Sequence, residues 1–396
     1  IFKRPFLPVL GNHDYYDLPL GLGLLAGLAT PLRYAARRYV DLDVGWHGSF
    51  QGDAFAKAFL DYLQAVPEGQ LAAHLDAHYT SAVGGDRCLT YQPGQFTRLP
   101  HRYYTFRYGG IDFFALDSNT FNQPLPATVD TQAERDRLAA QWQVLTTHKA
   151  DILRQLSLAT VNPLAVDERE DLIGELEEID EALHDLDKQL AQPQAITVDE
   201  AQLDWLRDRL IASWQDPTAR GRILFFHHPP YVTEATKWFQ GQTLAVRHHL
   251  RRVLDAVQAQ VGAIAQGQPL VNLVLCGHAH CLDYVQTGDT GHGDAHIPWV
   301  VCGGSGYSLR RQRAEGATLT EQRGEKVYPV AESRLFLGRS GKGSTLVRPY
   351  SAVRVTVGHG QPLTLAITPL VAERADGEWR AYELGAIALP TVTPAP

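Results

Sequence analysis

The sequence has 396 residues and a formal net charge of −8, because 36 lysines and arginines face 44 aspartates and glutamates. At ~150 residues per domain, this length predicts two or three domains. The acidic balance excludes the strongly basic surface with which a general nucleic-acid-binding protein contacts phosphates. A hydrophobic content of 44% with 20% charged residues is typical of a globular protein rather than a disordered or fibrous one.

The sequence predicts no membrane span and no disulfide framework. Its longest apolar run, Leu18–Leu32, is shorter than the ~20 residues that a spanning helix needs and is interrupted by glycines. Four unevenly spaced cysteines favour a reducing compartment such as the cytoplasm. The chain begins with Ile1 and contains no methionine, so we expect these residues to follow a missing amino-terminal piece.

The first part of the chain predicts a strand, a long connection and a hairpin. The apolar run 2–10 is expected to form a short buried strand that ends at Gly11-Asn12-His13-Asp14. Residues 17–100 are expected to form an elaborated connection of mixed helix and loop. Two β-rich runs, 103–108 and 111–116, flank a Gly-Gly pair and predict a hairpin.

Apolar residues at helical spacing predict two helices that pack antiparallel to each other. The apolar positions of the first are Leu138, Trp142, Leu145, Ile152 and Leu156, and those of the second are Leu172, Leu176, Ile179, Leu183, Leu186 and Leu190. Lys149 occupies the one polar position on the contact face. At ~1.5 Å per residue, this helical arm is expected to project ~40 Å. A structural arm, or one that docks a partner protein or a second copy, is the expected role.

Apolar strands alternate with helices in the next part of the chain, and each strand ends in a polar loop. Strands are predicted at 222–226, 270–275 and 297–301, with helices around 203–210 and 246–261. This alternation is typical of a layered α/β sheet. After a charged run at 310–326, alternating apolar residues predict a β-rich carboxy-terminal unit.

Three histidine-bearing loops each follow an apolar strand: Asn12-His13-Asp14, His227-His228 and His278-Ala279-His280. Open α/β sheets place their ligand sites at strand ends. Imidazole nitrogen with amide or carboxylate oxygen suits zinc, manganese or iron. One motif alone occurs by chance, but three at the same structural position indicate one shared metal cluster.

These motifs make the sequence resemble the calcineurin-like metallophosphoesterase superfamily, which includes purple acid phosphatases and cyclic-nucleotide phosphodiesterases. Gly11-Asn12-His13-Asp14, His227-His228-Pro229 and Gly277-His278-Ala279-His280 resemble the third, fourth and fifth of its five motifs. The resemblance covers roughly residues 1–120 and 200–308. It implies a layered β-sandwich flanked by helices, with the helical hairpin as an insertion. The family's phosphoesterases hydrolyse phosphomonoesters or phosphodiesters.

The resemblance also implies a role for each matching residue. Asn12, His227 and His278 would bind one metal ion, and His280 would bind a second one. His13 would be the acid that faces the leaving group, with Asp14 holding its ring in the productive tautomer. The nucleophile would be a hydroxide shared by two Mn, Fe or Zn ions. Together with the patterns along the chain, this predicts a core at 1–125 and 199–325, the insertion at 126–198, a β-rich unit at 326–389 and a disordered tail at 390–396.

The family's first two motifs are absent upstream of Gly11, where ten residues leave no room for them. One of these motifs supplies the carboxylate that bridges both metals. We therefore expect a truncated form of a longer enzyme, which binds one metal ion weakly and is weakly active or inactive.

Two other functions remain open on the sequence. The chain could be a catalytically inactive scaffold that binds a partner protein through the helical arm. It could also be a single-zinc hydrolase that uses His227, His278 and His280, although that leaves Asn12-His13-Asp14 unexplained. His228 could contact phosphate or simply pack beside the two prolines. Arg310 and Arg311 are phosphate contacts or solvated loop residues.

Overall fold

The computed structural model describes most of the chain from residue 103 onwards and a short segment near its start. The described residues are 7, 9–12, 103–125, 131–158, 166–190, 198–306, 309–324, 326–341, 345–375 and 378–390. The described residues form a mixed α/β fold with four α-helices and twelve strands. It divides into a first unit, residues 1–121 and 197–227, and a second unit, residues 122–196 and 228–396. The predicted division into five segments stays a prediction.

The described residues of the first unit include three strands and one α-helix. The predicted hairpin is confirmed as β1 (Tyr104–Tyr108) and β2 (Ile111–Ala115), which pair antiparallel. Gly109 and Gly110 make the turn with φ of 58° and 76°, a conformation that favours glycine over residues with a Cβ. Strand β3 (Gly221–Phe225) pairs parallel with β2, and helix α3 (Glu200–Gln215) precedes it.

Five strands of the second unit form a mixed sheet. Strands β4 (Leu273–Cys276) and β6 (Pro298–Cys302) are parallel, and both are apolar because they are buried. Strand β5 (Leu282–Thr287) continues the sheet antiparallel to β6. Strands β7 (Thr318–Arg323) and β8 (Lys326–Leu337) complete it, and helix α4 (Gly241–Ala265) lies between β3 and β4 in the chain.

The carboxy-terminal strands form a separate four-stranded sheet within the second unit. Strand β10 (Leu365–Ala375) lies at its centre and pairs antiparallel with the other three. The other three are β9 (Tyr350–Val357), β11 (Glu378–Glu383) and β12 (Ile387–Ala388). The prediction that this region is β-rich is therefore confirmed.

The two predicted arm helices are α1 (Thr131–Leu158) and α2 (Val166–Leu190). Their contact has a buried centre of Ile152, Ile179 and Leu183, around which other predicted apolar positions pack. Lys149, the polar position on the contact face, forms an ion pair with Asp180 of the facing helix. No helix in the described part of the chain is long and apolar enough to cross a membrane.

Helix α2 makes polar contacts with the rest of its unit at two points. The carboxylate of Asp185 accepts a hydrogen bond from the backbone N–H of Gly241 at the start of α4 (2.8 Å). The guanidinium of Arg310 donates to the Gly174 carbonyl (2.8 Å) and lies 3.3 Å from the Glu178 carboxylate. The helical spacing alone does not reveal these polar contacts.

Replacing Ile152 with alanine is expected to lower the free energy of unfolding by about 2–4 kcal/mol, because its side chain is only 1% exposed at the helix contact. The control is Leu153→Ala, since that neighbouring side chain is 46% exposed. We expect the control to change stability by less than about 0.5 kcal/mol. Urea denaturation of both variants provides the measurement. Equal losses of unfolding free energy in the two variants would contradict the observed helix contact.

Asp283 on β5 is a fully buried carboxylate that connects three segments of the second unit. It accepts hydrogen bonds from the N–H of Thr233 (2.6 Å), the hydroxyl of Thr233 (2.8 Å) and the hydroxyl of Ser333 (2.6 Å). Burial raises the pKa of Asp283 from 3.8 to about 6, although these hydrogen bonds act to lower it. The native state therefore holds a proton on this residue in a pH range where the unfolded chain has released it.

This pKa shift predicts that the Asp283 contribution to stability falls as the pH rises from about 4 to about 6, because the unfolded chain gives up its proton first. The total loss should be on the order of 2–3 kcal/mol. Asp283→Asn cannot ionise, so its free energy of unfolding should lack this component. Urea denaturation of both proteins between pH 4 and 7 tests this. The prediction is contradicted if the free energies of unfolding of the two proteins change with pH in parallel.

Candidate metal centre

In the first unit, the structure brings together two of the predicted metal ligands, Asn12 and His227. His227 lies two residues beyond β3, and its Nε2 is 2.7 Å from the Oδ1 atom of Asn12. The two side chains are hydrogen-bonded as they stand. Two ligand atoms bound to one tetrahedral ion through bonds of ~2.1 Å lie ~3.4 Å apart, so a small separation of the amide oxygen and the imidazole nitrogen would let them share a metal ion.

A buried polar network holds the backbone that leads into Asn12. The side-chain amide of Asn119 donates to the carbonyl of Leu10 (3.3 Å) and to the carboxylate of Asp117 (2.9 Å). Gln202 of α3 makes two hydrogen bonds to the backbone of Asp117. Its side-chain oxygen accepts from the N–H (2.7 Å), and its side-chain amide donates to the carbonyl (3.1 Å). Asp117, Asn119 and Gln202 have no exposed surface, so this network fixes the strand end of the first unit.

In the second unit, His278 and His228 lie side by side. Their ring centroids are 4.5 Å apart, and each ring offers a nitrogen within 4.8 Å of a nitrogen of the other. His227 directly precedes His228 in the chain. His228 and His278 belong to a histidine cluster that could hold a metal ion, since neutral imidazole is a common ligand of zinc, manganese and iron.

The backbone of His278 adopts a left-handed conformation, with a φ of 63°. This conformation is uncommon for residues other than glycine, and it is maintained where the surrounding structure enforces it. His278 is the central residue of a short turn in which Ala279 N–H donates to the Gly277 carbonyl (2.7 Å), and a second short turn follows, in which Cys281 N–H donates to the Ala279 carbonyl (2.8 Å). The 278–280 loop therefore turns sharply at the end of β4.

Gly303, at the end of β6, lies directly against this loop. A Cβ at position 303 would stand 1.9 Å from the Ala279 carbonyl oxygen, far inside any permitted contact. The N–H of Gly303 also donates to the Cys281 carbonyl (3.0 Å). Only glycine at position 303 therefore lets the two backbones approach this closely.

His228 has a buried partner of its own. Its Nε2 is 3.1 Å from the Nδ2 atom of Asn122, and the Oδ1 atom of that amide is buried without a hydrogen-bond partner. Reversing the amide turns its oxygen toward the ring, and Nε2–H then donates to it. In that tautomer, Nδ1 is the ring nitrogen that carries the lone pair a metal would bind. The packing of His228 therefore does not exclude a role as a ligand.

Other predicted site residues have different surroundings. His280 is partly buried, and its carbonyl accepts a hydrogen bond from the N–H of Arg310 (2.9 Å). In the described part of the chain, the histidine cluster includes His228 and does not include His280. His13 and Asp14 lie outside the described residues. The Arg310 side chain faces Glu178 and Gly174 of α2, which makes it an internal contact rather than a solvated one.

The cysteines beside the His278 loop are buried thiols. Cys276 and Cys281 are 5% and 0% exposed, and burial raises the pKa of both thiols well above the ordinary value. A thiol with a raised pKa stays protonated, whereas metal ligation requires the thiolate. This supports the interpretation that they are small buried hydrophobic residues.

Lys237 is a charged residue of this region that the sequence motifs do not identify. Lys237 is 3% exposed, and its Nζ atom is 3.3 Å from the Nε2 atom of His278. It lies in a loop of ordinary composition seven residues beyond Pro230, and no motif marks it. Only the folded structure shows that this ammonium group lies beside a candidate ligand.

No protein-family model and no curated protein is similar enough to the chain to match it. Six chains of solved structures match. One, described as "Structure of PhoD", has 12% sequence identity and a TM-score of 0.33, and the match covers 76% of this chain and 47% of that chain. The chain thus spans about half the length of that structure. At this TM-score the likeness carries no conclusion about function.

Replacing Gly303 with alanine is expected to displace the 278–280 loop, because the added methyl group overlaps the Ala279 carbonyl. We expect a loss of about 1–3 kcal/mol in the free energy of unfolding, together with weaker binding of Mn²⁺. The control is Gly306→Ala, since a Cβ at that position would have no atom within 4 Å. Denaturation and calorimetric titration test this, and similar results for both variants would contradict the close approach.

Proposed function

We propose that this protein is a metal-dependent phosphoesterase of the layered metallophosphoesterase type. The observation that carries the proposal is the pairing of candidate ligands at strand ends, Asn12 with His227 in one unit and His228 with His278 in the other. Amide oxygen and imidazole nitrogen are donors that suit Mn, Fe or Zn. The order of the motifs along the chain supports the same function.

The proposed ligands are Asn12, His227 and His278 for one metal ion, and His280 for a second. When bound, the ions supply a Lewis acid for the phosphoryl oxygens and a water of lowered pKa. His13 is the proposed acid for the leaving group, and Asp14 holds its ring in the required tautomer. The 278–280 loop presents its imidazoles from a rigid turn, which limits the entropy that is lost when a metal binds.

A second candidate function is a scaffold that binds a partner through α1 and α2. The exposed apolar side chains of α1 favour it, since Val144 and Leu158 are 68% and 60% exposed. The close pairing of candidate ligands does not follow from a scaffold role. We therefore place the phosphoesterase first, and the experiment below distinguishes the two.

The test is to titrate the protein with Mn²⁺ and to measure hydrolysis of p-nitrophenyl phosphate and bis(p-nitrophenyl) phosphate. His278→Ala should weaken Mn²⁺ binding by about 10-fold or more, because it removes a ligand, and the weak hydrolysis expected of this chain should fall with it. The control is His292→Ala, because that half-exposed histidine pairs with Asp255 and is not in the histidine cluster. Unchanged Mn²⁺ binding in His278→Ala would overturn the proposal and favour the scaffold.

A further inference from the structure

Lys237 places a buried positive charge against the candidate metal ligand His278. Its Nζ atom lies 3.3 Å from the Nε2 atom of His278, and both residues belong to the second unit. An ammonium group has only donors, so the Nε2 atom accepts this hydrogen bond through its lone pair. That lone pair is the one with which Nε2 would bind a metal ion.

The position of Lys237 is fixed by the loop that carries it. The N–H of Lys237 donates to the Glu234 carbonyl (3.3 Å), and the N–H of Gln240 donates to the Lys237 carbonyl (3.1 Å). The next residue, Trp238, is buried and stacks under the guanidinium of Arg247 at 3.9 Å. The loop therefore holds the ammonium group at His278, unlike a lysine that moves freely in solvent.

This charge has opposite effects on the two species that the proposed site must bind. An ammonium beside His278 repels a bare divalent cation, since like charges in a partly dry site interact strongly. The same ammonium attracts a phosphate group, and a phosphate between the two cations removes their repulsion. Metal and phosphate should therefore bind cooperatively, each raising the affinity for the other by the same factor.

We propose that Lys237 binds the phosphoryl oxygens of the substrate beside His278 and favours dianionic phosphomonoesters over monoanionic phosphodiesters. The inference rests on the proposed function and deepens it by naming the substrate class. A phosphomonoester carries close to two negative charges at neutral pH, and a diester carries one. An additional fixed positive charge therefore stabilises the bound monoester more than the bound diester.

The experiment uses the full chain and Lys237→Met, which keeps the length of the side chain and removes its charge. Calorimetric titration measures Mn²⁺ binding without phosphate, and then inorganic phosphate binding to the Mn²⁺-saturated protein. We expect Mn²⁺ to bind about fivefold more tightly to the variant and phosphate to bind about fivefold or more weakly. A purely structural role would weaken both affinities or change neither. Opposite changes in the Mn²⁺ and phosphate affinities therefore identify the effect of the charge.

Two further variants control for folding and for the general loss of a lysine. Lys237→Arg retains the charge and should restore at least part of the phosphate affinity. Lys149→Met removes a partly buried lysine that pairs with Asp180 on the arm, and it should leave phosphate binding unchanged. The ratio of p-nitrophenyl phosphate to bis(p-nitrophenyl) phosphate turnover should fall in Lys237→Met alone.

The outcomes separate this inference from the function on which it rests. If Mn²⁺ binding depends on His278 but Lys237→Met leaves phosphate affinity and the turnover ratio unchanged, only the role of Lys237 is wrong. If Mn²⁺ binding does not depend on His278, the proposed metal site is wrong, and the role of Lys237 is overturned with it. A variant that loses both affinities together shows a structural role and also overturns the inference.

Discussion

The close approach of two backbones, at Gly303 and Ala279, is the constraint on which the second unit's half of the candidate centre depends. Because no side chain stands at Gly303, the 278–280 loop can turn directly beyond β4 and hold His278 in a left-handed conformation. That conformation brings the ring of His278 against His228 and within reach of Lys237. The arrangement of these side chains therefore depends on the absence of a Cβ atom at position 303.

Each unit positions its candidate ligands through buried polar contacts rather than through apolar packing alone. In the first unit, Asn119 and Gln202 tie the end of the hairpin to the backbone before Asn12. In the second unit, Asn122 binds the ring of His228. Groups of this kind are costly to bury unless they are satisfied, so they specify one arrangement where apolar side chains would tolerate several.

The sequence predicts those elements whose burial leaves a clear apolar pattern. The hairpin, the β4 and β6 strands and the contact face of the arm helices were all predictable, since each buries a continuous apolar surface. Strands β7 and β8 were not, because they mix polar and apolar residues without a regular alternation, and β7 lies at the edge of the sheet. A polar run such as 310–326 is compatible with both a loop and such a strand.

Within the candidate site, the sequence identifies residues through motif spacing and misses those placed by tertiary contacts. Asn12 and His227 were predicted as ligands, and the structure brings their side chains together. Lys237 could not be predicted, because a single lysine in a loop has no pattern and its importance comes only from its distance to His278. The internal role of Arg310 was equally hidden, since its partner on α2 lies more than 130 positions earlier in the chain.

The two contacts of Arg310 also limit how the molecule can be shortened. Its backbone N–H binds the carbonyl of His280, while its guanidinium lies between Gly174 and Glu178 of α2. Excising the helical pair and joining its ends would remove these two contacts and expose a guanidinium-bearing residue that is only 7% exposed in the intact chain. The helical pair is therefore a structural support of its neighbours, and a minimal version of this protein has to retain it.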